Sequence, residues 1–133
     1  MKIGVISDTH NPSVGELPPP EVATAFEGVD AIIHAGDIYI PSCLDWLESI
    51  APVYAVEMWA DQHFQNDPRV VNKRRVVEME GLGVELLGEV AHRIGLDLVA
   101  AEALPGAHFD FFVIQHGSGN APECGPGQYP NLT

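Results

Sequence analysis

The chain has 133 residues, 46% of them hydrophobic, and a formal net charge of −13 from 19 acidic against 6 basic side chains. That length fits a single domain, 1–133, with a real core, and the apolar fraction excludes disorder. No apolar run nears the roughly 20 residues of a membrane span; a field of this sign repels nucleic acid and anionic lipid, and phosphorylated compounds too unless a cation sits in the site.

Lys2 to Ser7 is short, continuous and rich in Ile and Val, which predicts a strand buried on both faces. It is too short for a signal peptide and a carboxylate follows at once, so the expected location is cytoplasmic. Asp8-Thr9-His10-Asn11-Pro12 breaks the strand with loop chemistry. Pro18, Pro19 and Pro20 then lead into Glu21 to Phe26, where proline suits the first turn of a helix and Glu21 its positive end.

Ala31 to Ala35 is a second buried strand, ending at Gly36-Asp37. Pro41-Ser42 opens a helix with Ser42 as the expected cap, Cys43, Leu47 and Ile50 on one face with Leu44 beside them, and Pro52 as its stop. Val53 to Val56 is a third strand. Strand, helix, strand, helix, strand in that order predicts a parallel sheet with right-handed crossovers.

Asp61 to Asp67 reads as loop. Arg75 to Met79 and Val84 to Leu87 read as a hairpin around Gly81 and Gly83, and Lys73-Arg74-Arg75 as its exposed start. Val90, Ile94, Leu98 and Ala101 form a stripe at helical spacing, predicting a helix over Glu89 to Leu104 that Pro105-Gly106 ends. Asp110 to Ile114 is a final strand, and the Gly-, Pro- and Asn-rich tail from Gly117 reads as loop. Cys43 and Cys124 lie far apart and support neither a disulfide nor a Cys-x-x-Cys site.

In an open parallel sheet, function gathers at the carboxyl ends of the strands. Asp8 and His10 follow the first strand here and Asp37 the second. Spaced two apart, Asp8 and His10 can both turn toward one point from an extended loop. Two carboxylates and an imidazole suit a divalent cation such as Mn, Zn or Fe, and the cation removes the repulsion that the acids would otherwise suffer together. Gly36 lets backbone approach a ligand closely. His34, inside an apolar strand, is expected to be a hydrogen-bonded core histidine, and His63 a residue near enough to replace a lost ligand only by loop rearrangement. Met58-Trp59 would leave an apolar patch, and His92 and His108 read as solvated.

Gly4-Val-Ile-Ser-Asp8-Thr9-His10 resembles the first motif of the calcineurin-like phosphoesterases, and His34-Ala35-Gly36-Asp37 resembles the second. The likeness is greatest to the small YfcE-like phosphodiesterases. It implies an α/β fold, a layered αββα sandwich with a mostly parallel inner sheet in the N-terminal half. It further implies two metals that share a bridging carboxylate, with a metal-activated hydroxide attacking the phosphorus. Carried over position by position, Asp8 and His10 hold the first metal, Asp37 bridges, and His116 serves the second. These four residues are the expected catalytic and metal-binding set. Where the family has further ligands, this chain has Trp59, Gly88 and Ser118, while Asp61 is retained and Glu57 adds negative charge nearby. The expectation is therefore one divalent metal (Mn, Ni, Zn, Fe or Mg) rather than two, and a phosphate ester substrate. The alternative is a catalytically inactive scaffold on the same fold.

Overall fold

The computed structural model describes residues 1–13, 15–57, 60–72, 74–79, 82–87, 99–101, 110–115 and 123–124, with side chains described as far as Met79, Asp61 excepted. Its first strand, β1 (Lys2–Ser7), is followed by α1 (Pro20–Ala25), β2 (Ala31–His34), α2 (Pro41–Glu48) and β3 (Val53–Glu57). A short helix α3 (Ala60–His63) and strand β4 (Val70–Asn72) come next, then β5 (Arg74–Met79), β6 (Leu82–Leu87), β7 (Val99–Ala101), β8 (Asp110–Gln115) and β9 (Glu123–Cys124).

Six strands form one sheet in the order β4-β3-β2-β1-β8-β9, and β5-β6-β7 form a second. The pairs from β4 through to β8 are all parallel, and β9 closes the edge antiparallel to β8. The second sheet is antiparallel throughout, with Met79 opposite Leu82 at the hairpin. The expected mostly parallel inner sheet is thus present, with β1 and β2 side by side at its centre.

Strand alternation divides the core in two. Ile6 and Ile32 face α1 and α2, where they join Val22, Phe26, Cys43, Leu44 and Leu47. Ile3, Val5, Ala31 and Ile33 face the other way and join Val77 and Met79 of β5. Helices, large sheet and small sheet therefore stack as successive layers, which is why the runs Ile3–Ile6 and Ala31–Ile33 are continuously apolar rather than alternating. Among the described residues no helix is long and apolar enough to cross a membrane.

Gly4 has a packing reason. A Cβ there would lie 2.9 Å from Cδ1 of Phe26, a ring with no exposed surface. Gly4→Ala should cost about 1–3 kcal/mol through overpacking, seen as a lower urea midpoint with an unchanged m-value. An unchanged midpoint would mean that the Phe26 ring gives way freely.

Several expectations are corrected. Ser42 does not cap α2: Pro41 takes the first helical position, Ile40 becomes the cap residue, and no side chain caps the end. The stretch read as loop from Asp61 begins inside α3. Strand β4 was not expected, because three residues carry too little pattern and become a strand by pairing with β3. Of the predicted helix from Glu89 to Leu104, Val99–Ala101 is instead a strand paired with β6, and the rest lies outside the described residues, as do most of the tail and its neighbours. Within that tail, Glu123–Cys124 is a strand rather than loop.

Arg69 ties α2 to the turn before β4. Its guanidinium meets Asp45 at 2.8 Å, Glu48 at 3.0 Å and Asp67 at 2.8 Å, with the side chain only 16% exposed. The hydrogen bonds from Arg69 hold the Asp67 carboxyl below its usual range. That clamp occupies one wall of a polar cleft of about 460 Å³ lined also by Pro41, His63 and Asn66. Three carboxylates surround the Arg69 guanidinium there.

Candidate metal centre

The parallel ladder between β1 and β2 continues past the strands themselves. Ala35 N–H donates to Ile6 C=O at 2.9 Å, Asp8 N–H to Gly36 C=O at 3.0 Å, and His10 N–H to Asp37 C=O at 3.0 Å. Two loops of opposite sequence origin are thereby zipped into one edge. Within them Asp8, His10 and Asp37 all take left-handed backbone, with φ of 57°, 48° and 57°. The extended loop expected for Asp8 and His10 is thus replaced by two left-handed residues on either side of Thr9. Such conformations are uncommon for residues with a Cβ, persist where the surroundings enforce them, and gather at functional sites.

The result is convergence. One donor atom from each of Asp8, His10 and Asp37 lies within 4.8 Å of the others. His10 Nε2 is 3.6 Å from Asp8 Oδ1 and 3.6 Å from Asp37 Oδ2. The side chains are 13%, 31% and 22% exposed for Asp8, His10 and Asp37, so the site is recessed but open. Burial, and then the neighbouring Asp37, push the Asp8 carboxyl above its ordinary range, against a hydrogen bond from Ser7 and the nearby His10. Two oxygen donors and a nitrogen donor converging in a partly desolvated, acid-rich pocket fit a divalent cation of the borderline kind, which would offset the repulsion between the acids.

A buried network holds the two loops. His34 has no exposed surface. Its Nδ1 accepts the Gly36 N–H at 3.2 Å, so Nε2 carries the proton and donates to Thr9 Oγ1 at 3.0 Å. The Thr9 hydroxyl reaches Asp37 C=O at 3.5 Å, and Cys43 Sγ donates to Thr9 Oγ1 at 3.5 Å. Burial drives the imidazole of His34 down to about 3, with His10 adding to the effect, and burial raises the Cys43 thiol. His34 is therefore the neutral core histidine expected, and it acts as a brace between the loop of Asp8 and His10 and the loop of Asp37.

Glu57 adds negative charge beside the site as expected, from a buried position. It is 2% exposed at the end of β3, and its Oε2 accepts the Ile38 N–H at 2.8 Å, pinning the chain just after Asp37. His63 is not among the converging ligands; it sits beyond Tyr39, ring to ring at 6.2 Å. His116 lies outside the described residues, as do Met58, Trp59, Gly88, His92, His108 and Ser118. The last described residue of β8, Gln115, pairs with Ser7 at the end of β1. Two participants escaped sequence reasoning, Thr9 and Tyr39. Thr9 could have been noticed as the polar residue between two ligands; Tyr39 carried no periodic signal.

A parallel sheet that collects carboxylates and an imidazole at adjacent central strand ends defines a class of metal-dependent α/β proteins. The comparisons make the class specific. The family model for the calcineurin-like phosphoesterase superfamily domain matches residues 1–110. A probable metallophosphoesterase of Methanothermobacter thermautotrophicus is 38% identical over 115 residues, covering 80% of this chain and 65% of that protein. Another from Methanocaldococcus jannaschii is 30% identical over 142 residues, covering 93% of this chain and 71% of that one. The chain thus spans just under two-thirds of the first relative's length. The crystal structure of Chaetomium thermophilum Vps29 superposes with a TM-score of 0.51 at 20% identity, over 64% of this chain and 43% of that one, a likeness of fold. This chain belongs to the calcineurin-like phosphoesterase superfamily, whose members generally use divalent metals.

Proposed function

We propose that the chain is a divalent-metal-dependent phosphoesterase that hydrolyses a phosphodiester or phosphomonoester at the edge formed by Asp8, His10 and Asp37. The observation that carries this reading is the convergence of those three donors within 4.8 Å at neighbouring strand ends, in a chain of this family. Asp8 and His10 would hold the metal from one side and Asp37 from the other. His116, one residue past the pairing of Gln115 with Ser7, would approach from β8. A bound cation supplies a lowered pKa to water and neutralises charge on the phosphate oxygens. The protein's part is to fix the ligands: the His34 and Thr9 brace sets the spacing of the two loops, and partial burial strengthens each electrostatic contact. With Trp59, Gly88 and Ser118 where further ligands would stand, one metal of the Mn, Ni, Zn, Fe or Mg group is favoured over two. Membership of the YfcE-like group rests on the spelling of the two motifs.

The test is hydrolysis of a bis-aryl phosphate ester with Mn, Ni, Zn and Mg each supplied, together with elemental analysis of the purified protein. The expected result is metal-dependent turnover with about one equivalent bound. No turnover with any of the four, and no metal retained, would favour the second reading instead. That reading is an inactive phosphoesterase-fold scaffold for other proteins, motivated by the same three replaced positions.

A further inference from the structure

We infer that Tyr39 is a positioning residue for the metal centre: two residues past Asp37, its ring packs edge-on against the imidazole of His10, so that the loop of Asp37 orients His10 of the other loop. The inference rests on the metal-site reading above. The two aromatic rings meet edge-on, with centroids 5.2 Å apart and an interplanar angle of 65°. Edge-to-face contact of this kind restricts the rotation of His10 about its side-chain bonds.

The backbone gives an independent reason. Tyr39 has φ of 71°, a conformation that costs a bulky residue strain and that glycine adopts freely. A residue selected for local stability alone would be glycine or asparagine. Tyrosine here places a ring between His10 and His63, with His63 on its far side at 6.2 Å.

Groups that orient metal ligands typically change affinity 10–100-fold when removed. The test is calorimetric binding of Mn²⁺ by the full chain and by two variants, with melting temperature as the control for folding. Tyr39→Gly, which suits the left-handed backbone and removes ring and hydroxyl together, should weaken Mn²⁺ binding by about 10–100-fold without lowering the metal-free melting temperature. Tyr39→Phe keeps the ring and should recover most of that loss. A folded Tyr39→Gly protein that binds Mn²⁺ as tightly as the unsubstituted chain overturns the inference. Failure of the unsubstituted chain to bind Mn²⁺ overturns the metal reading itself.

Discussion

Asp37→Asn should abolish metal-dependent hydrolysis and metal-induced stabilisation while leaving the metal-free protein as stable as before, or more so. Asparagine keeps the shape of aspartate and tolerates the left-handed backbone that Asp37 adopts. Only the charge is lost. In the metal-free protein that charge is a liability, because Asp37 is among the groups that push the Asp8 carboxyl upward. Relief of it favours the folded state. In the metal-loaded protein the same charge is the link between the two loops. A ligand at a hundredfold excess over its Kd stabilises the native state by about 2.7 kcal/mol, which for a domain of this size is roughly 10 °C in Tm. Scanning calorimetry with and without Mn²⁺ should show that gain for the unsubstituted chain and none for the variant. An equal gain in both would move the metal to a site that does not involve Asp37, and would remove the basis of the functional reading.

His34→Ala should cost about 3–5 kcal/mol, a large fraction of the stability of a small domain. It opens a cavity beneath the site and leaves the Gly36 N–H and the Thr9 hydroxyl without their buried partner. The same residue gives the fold an acid sensitivity. In the unfolded chain His34 takes up a proton near its ordinary value of 6.5, whereas in the folded protein burial holds it back to about 3. Between those values the unfolded state binds the extra proton. The stabilising contribution is full above pH 6.5 and is lost as pH falls toward 3, on the order of 4 kcal/mol across the window. Urea midpoints measured from pH 7 to pH 4 should fall steadily for the unsubstituted chain, and His34→Gln should flatten that slope. A slope identical in the two proteins would place the acid sensitivity elsewhere.

The two predictions concern residues that differ in how visible they were beforehand. Asp37 and its partners Asp8 and His10 could be chosen from the sequence because they follow continuous apolar runs. Lys2–Ser7, Ala31–His34 and Val53–Glu57 are buried on both faces, so their strand character survives without context, and their ends can be located to within a residue. Helix α2 was equally plain, with Cys43, Leu44 and Leu47 all buried as its spacing required. Its cap was misread because Pro41 itself takes the first helical position, which moves the boundary residue back to Ile40.

Other features depended on partners distant in the chain. Val70–Asn72 is a strand through its neighbour β3, and Val99–Ala101 through β6. Glu57 was expected to add negative charge nearby; its second role, accepting the Ile38 N–H nineteen residues away, has no local signal. Tyr39 matters through the rings of His10 and His63, which local pattern cannot bring together.

The amino-acid order alone determined which residues can bind a cation and which strands carry them, since buried runs and the loop residues that break them are properties of local chemistry. Whether the donors meet was decided by the tertiary structure. Hydrogen bonds from Asp8 to Gly36 and from His10 to Asp37, the brace through His34 and Thr9, and left-handed backbone at Asp8, His10 and Asp37 bring the two carboxylates together against their own repulsion. Such an arrangement depends on contacts between loops 25 or more residues apart, and no local preference of the chain favours it.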